Sequence, residues 1–96
     1  MLKITTVNTS SHAVKLCVEG RLTGRSVEEL RQACDAYLLD PQVLLTLDLA
    51  DVLFADAEGI KLLKSLRSRN VMLLKPSPFL AIQVGGWDGE RFPLIS

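Results

Sequence analysis

The sequence predicts an α/β fold, a mixed β-sheet of four to five strands with helices packed on it. Three observations carry this. Two alternating runs near the start, residues 2–7 and 12–19, flank the turn residues Asn8, Thr9, Ser10 and Ser11 and read as an antiparallel strand pair. Residues 43–49 are nearly all apolar, broken only by Thr46 and Asp48. They read as a central strand covered on both faces, as the middle of a parallel sheet requires. Residues 27–38 and 60–66 place apolar side chains at helical spacing.

Each element has a local reason. In the first run Leu2, Ile4 and Thr6 share one side; in the second, Val14, Leu16 and Val18 point inward and Lys15, Cys17 and Glu19 outward. Gly20-Arg21-Leu22-Thr23-Gly24 is expected to break the second strand. Ser26 with Glu29 three residues later matches a capping box. Behind it Val27, Leu30, Ala33, Cys34, Tyr37 and Leu38 form an apolar stripe, opposed by Glu28, Arg31, Gln32 and Asp35. Asp40-Pro41 ends this helix, because proline disfavours the α conformation in the residue before it. After the central strand, Asp56 is placed to cap a helix whose Leu62, Leu63 and Leu66 face inward and whose Lys61, Lys64 and Ser65 face water. Arg67 and Arg69 near its end suit the helix dipole. Residues 71–74 form a short strand, and Ser77 before Pro78 opens a short helix over 79–84, stopped by Gly85-Gly86. Residues 87–90 read as a turn and 91–95 as a last edge strand, with Pro93 excluding a central position.

Composition bounds the function. Ninety-six residues suffice for one domain, taken as 1–96. Eleven basic residues balance eleven acidic ones, so no charge excess points to nucleic acid or an anionic membrane. The polar N-terminus is neither a signal peptide nor a span, and no apolar run approaches the ~20 residues that cross a bilayer. Cys17 and Cys34 fall on different elements without a CxxC, and His12 is the only histidine, so no zinc pattern exists. Two reduced thiols in a cytoplasmic protein are expected. There is no GxSxG, HExxH, P-loop or dinucleotide fingerprint. Asp48, Asp51 and Asp56 stand around the loop expected after the central strand. Three carboxylates there offer hard oxygen ligands for Mg²⁺, the arrangement of a phospho-receiver. The competing reading is one capping aspartate and two solvated ones.

The segment LLTLDLADVLFADAEGIKLLKSL resembles the core motif of STAS domains, the anti-sigma-factor-antagonist fold. That motif is an apolar strand, Asp-Leu-Ser, a few residues, then Asp-Ser-Ser/Thr-Gly and a leucine-rich helix. LCVEGRLTGRSVEELRQAC is similar to the family's second strand, Gly-x-Leu-Asp turn and first helix, and VMLLKPSPFLAIQV to its later strand and Ser-Pro helix start. The resemblance implies a non-enzymatic, single-domain bacterial signalling module without a cofactor. Its partner would be a protein, typically a kinase-fold anti-sigma factor that phosphorylates the first serine of the motif in the regulation of transcription. The loop Asp56, Ala57, Glu58 and Gly59 corresponds to that motif, and Thr23, Phe54, Lys61, Lys64 and Ser65 are the residues expected to extend the contact surface. Ala57 stands at the acceptor position and has no hydroxyl. Glu58 supplies a permanent charge in the first helical turn, and Thr23 stands where the family carries aspartate. A second expectation keeps the fold: STAS-like proteins without the acceptor also serve as subunits of membrane lipid-transport ATPases.

Overall fold

The computed structural model describes residues 2–84. Strand β1 (Leu2–Asn8) turns back through Thr9, whose N–H donates to the Ala13 carbonyl at 3.0 Å, into β2 (Ala13–Leu22). The two pair antiparallel from Leu2 opposite Gly20 to Asn8 opposite Val14. Helix α1 (Arg25–Leu38) then crosses over to β3 (Leu44–Ala55), which runs parallel to β2. Helix α2 (Ala57–Ser68) leads to β4 (Met72–Leu74), parallel to β3, and α3 (Pro78–Val84) follows. The described strands form one mixed sheet in the order β1-β2-β3-β4. The expected edge strand over residues 91–95 lies outside the described residues, as do the turn over 87–90 and the Gly85-Gly86 stop.

Burial explains the layering. Val14, Leu16 and Val18 on β2 and Leu45, Leu47 and Leu49 on β3 alternate with half-buried neighbours. They join Val27, Leu30 and Cys34 of α1, Leu62, Leu63 and Leu66 of α2, and Leu80 and Val84 of α3 in one core. Each such side chain, fully buried, contributes about 1.5–3 kcal/mol. All three helices therefore sit on one face. Among the described residues the expectation that β3 is covered on both faces is corrected: Leu44, Thr46 and Asp48 point to a face on which none of the described helices packs, and Leu44 there is exposed. A run of apolar residues cannot show this, because alternation is hidden when both sides are hydrophobic.

Three further expectations are corrected. β2 does not break at Gly20 but continues to Leu22. Gly20 takes a positive φ of 111° and the pairing with β3 shifts register on either side of it, so the irregularity is absorbed as a bulge. With β2 extended, residues 51–55 of β3 gain a backbone partner, and Asp51 lies within the strand rather than in a loop. The Ser26–Glu29 capping box does not form. Gly24 is the N-cap, without a side-chain cap bond, and Ser26 is buried one residue inside α1. The Thr23 and Gly24 carbonyls accept from Ser26 and Val27 N–H groups at 3.0 and 3.1 Å, so the helix starts before the serine can cap it. The cap on α3 does form: Ser77 Oγ accepts from the Leu80 N–H at 3.1 Å.

Candidate functional site: the loop between β3 and α2

The carboxyl ends of β2 and β3 meet at one corner, held together by Asp56. Its Oδ1 accepts from the Gly59 N–H at 2.8 Å, capping α2. Its Oδ2 accepts from the Gly24 N–H at 3.2 Å, thirty-two residues away at the entrance of α1. Its own N–H donates to the Leu22 carbonyl at 3.2 Å. One aspartate thus caps one helix and braces the start of another. Gly59 makes the approach possible: a Cβ there would stand 2.5 Å from the Leu22 carbonyl oxygen and 3.0 Å from the Leu22 side chain. The α2 N-terminus consequently lies flat against the end of β2.

Around this corner the surface is open. Ala57 and Glu58 are exposed in the first turn of α2, where a negative charge favours the dipole by about 0.3–1 kcal/mol. Glu58 pairs loosely with Lys61 at 3.9 Å, both well solvated. Lys64 and Ser65 are exposed on the same helix and Thr23 is half-buried beside the corner. Phe54 is 39% exposed, with the Arg21 guanidinium over its ring at 5.6 Å from the centroid. The expected contact residues Thr23, Phe54, Asp56, Ala57, Glu58, Gly59, Lys61, Lys64 and Ser65 therefore fall at the carboxyl end of the sheet and along the α2 that leaves it. Gly59 alone among them is buried, as spacer rather than contact.

The acidic trio does not assemble. Asp56 commits both oxygens to backbone N–H groups. Asp48 accepts from the Ala50 N–H at 3.0 Å and stands 4.0 Å from Lys75 Nζ. Asp51 lies opposite Glu19 on the sheet. Among the described residues no three His, Cys, Asp or Glu side chains gather to hold a metal ion, so the Mg²⁺ arrangement expected of Asp48, Asp51 and Asp56 is overturned. Strand geometry and capping place the three carboxylates at separate positions. Two links had no signal in the sequence. Lys75 reaches Asp48 because it adopts a left-handed φ of 53° just after β4, and the Gly24–Asp56 brace spans distant turns. Among the described residues no helix is long and apolar enough to cross a membrane.

Comparison with known proteins agrees with this geometry. Residues 5–93 match the family described as "Mlab, STAS domain", and the chain belongs to that STAS-domain family. No curated protein matches it significantly in sequence. Among solved structures it is similar to the anti-sigma factor antagonist SpoIIAA in its unphosphorylated form, with a TM-score of 0.70 and 20% identity over 90% of this chain and 84% of that one. It is similar also to the phosphorylated form of SpoIIAA, the Bacillus cell fate determinant, with a TM-score of 0.65 and 17% identity over 98% of this chain and 100% of that one. An anti-sigma factor antagonist from Mycobacterium paratuberculosis aligns with a TM-score of 0.63 and 20% identity, over 76% of this chain and 64% of that one. At these identities the likeness is one of fold, an α/β domain of the SpoIIAA type.

Proposed function

We propose that this STAS domain is a non-enzymatic docking module of the anti-sigma-factor-antagonist type, acting in the bacterial cytoplasm. Its contact surface is the β3–α2 loop with Phe54 and the exposed face of α2, and its partner is a kinase-fold anti-sigma factor or a related signalling protein. The observation that carries this is the braced, exposed corner at Asp56: a rigid loop with solvent-facing side chains at the carboxyl end of the sheet. SpoIIAA exists in phosphorylated and unphosphorylated forms. By its resemblance to the family motif, Ala57 stands at the acceptor position of this chain and has no hydroxyl to accept a phosphoryl group, and Glu58 beside it carries a fixed charge. Docking here is then not switched at this loop. A carboxylate carries a single charge against about −1.5 to −2 for phosphate at pH 7 and is planar, so Glu58 does not reproduce the phosphorylated state.

A second reading is an accessory subunit of a membrane lipid-transport ATPase. It is favoured by the description of the matching family, "Mlab, STAS domain", which names no anti-sigma function. Affinity capture with the native chain, followed by mass spectrometry, separates the two. Recovery of a kinase-fold regulator supports the first, and of a transporter ATPase the second. With either partner in hand, reversing Glu58 and Lys61 together should weaken binding; unchanged affinity would remove this surface from consideration.

A further inference from the structure

Strand β3 uses more residues than its neighbour to cover the same span. It has 12 residues against 10 in β2, and the two pair from Ala13 opposite Leu44 to Leu22 opposite Ala55. The extra residues sit at two places. Cys17 pairs with Asp48 and Glu19 with Asp51, so Val18 faces both Leu49 and Ala50; Gly20 pairs with Val52 and Arg21 with Phe54, so Leu53 is unmatched. These are bulges of β3. They change the spacing of the inward positions from every second residue, Leu45, Leu47 and Leu49, to every third, Val52 and Ala55. Strict alternation after Leu49 would turn Asp51 and Leu53 into the core and Val52 out of it. The bulges leave Asp51 exposed instead, and they set Phe54 opposite Arg21 and Ala55 opposite Leu22, where the Asp56 corner begins.

The first bulge opens just after Asp48. There β3 also parts from its other neighbour, since the last pair with β4 is Asp48 opposite Leu74. Among the described residues Ala50 therefore has no strand partner on either side, and its N–H needs another acceptor. Asp48 Oδ1 accepts it at 3.0 Å. The carboxylate is held in place: the Asp48 side chain is only 16% exposed, and its Oδ2 stands 4.0 Å from Lys75 Nζ. We propose that Asp48 is a positioning residue for the Asp56 corner. By closing the bulge at Ala50 it fixes the path of residues 50–55, and with it the seat from which Asp56 reaches Gly24 and Gly59. The acceptor oxygen matters here rather than the charge, because the Ala50 N–H is a neutral donor and Lys75, 69% exposed, is free to turn to water. The effect of Asp48 on a partner rests on the proposed docking function; its effect on the corner does not.

Amide hydrogen exchange of the full chain, read residue by residue by NMR, tests this without a partner. In Asp48→Ala the Ala50, Gly24 and Gly59 amides should exchange roughly three- to tenfold faster, the net effect of one hydrogen bond, relative to the Leu47 and Leu63 amides, which follow global stability. Asp48→Asn keeps the acceptor and should restore the protection. Asp51→Asn, at the neighbouring exposed carboxylate of the same strand, should leave it unchanged. Undiminished protection in Asp48→Ala, a loss spread evenly over the core amides, an equal loss in Asp51→Asn, or a failure of asparagine to rescue would each overturn the proposal. With a captured partner, Asp48→Ala should also weaken binding severalfold while Asp48→Asn does not. Loosened Gly24 and Gly59 amides with unchanged affinity would uphold the positioning and count against the docking surface.

Discussion

Asp56 and Gly59 make opposite demands on substitution, although both sit in the first turn of α2. Asp56→Ala removes the cap bond to Gly59 and orphans the Gly24 N–H, and is expected to cost about 1–2 kcal/mol in urea unfolding. Gly59→Ala raises helix propensity but drives a methyl into the Leu22 carbonyl at 2.5 Å. The clash should win and destabilise by about 1–3 kcal/mol. Gly24→Ala meets nothing within 4 Å, so its cost is that of the positive-φ backbone, φ 55° and ψ −123°, about 1–3 kcal/mol. The cysteines also separate by environment. Burial, then Asp35, pushes the Cys34 thiol from 9.0 up to about 12, with Arg69 opposing. Cys17, half-exposed, should alkylate at pH 8 while Cys34 stays protected in the folded chain. For Cys34 the unfolded thiol loses its proton first as pH rises. Its contribution is thus intact below pH 9 and lost progressively from about 9 to about 12, which unfolding midpoints against pH will read.

Among the elements, α2 carries both the fold and the surface, on opposite faces. Leu62, Leu63 and Leu66 are buried, and Glu58, Lys61, Lys64 and Ser65 are exposed. Exchanging the charges of Glu58 and Lys61 should lower stability by no more than about 1 kcal/mol, the dipole term lost at Glu58, since the solvated i,i+3 pair itself contributes only a few tenths of a kcal/mol. An affinity loss for a captured partner larger than that would separate docking from folding. At α1, Glu29→Gln should shift stability by less than about 0.5 kcal/mol, because the capping box it was expected to complete is absent. A loss near 1 kcal/mol would show that Glu29 has a partner after all. The helix pattern around Val27, Leu30 and Cys34 was legible because 3.6-residue spacing is a local property. The choice of Gly24 over Ser26 as cap was not. It depends on Asp56, which reaches Gly24 from across the chain.

On the scale of the whole molecule, the sheet and the three helices share one core, so residues 2–84 should unfold as one cooperative unit. Leu47→Ala at the centre of β3 and Leu63→Ala on α2, both fully buried, should each cost about 2–5 kcal/mol and move a single transition seen alike by circular dichroism and fluorescence. Separate transitions for sheet and helices would contradict one shared core. The sequence by itself determined the order of elements, the antiparallel pairing of β1 with β2, the Asp56 and Ser77 caps and the family motif, all of which rest on neighbours a few residues apart. Only the tertiary structure decided that β2 runs on through Gly20, that Asp48, Asp51 and Asp56 are dispersed, that Lys75 answers Asp48, and that the described helices all pack on one face of the sheet. Each of those depends on which strand supplies the next backbone partner, and pairing between residues tens of positions apart leaves no periodic trace in the chain.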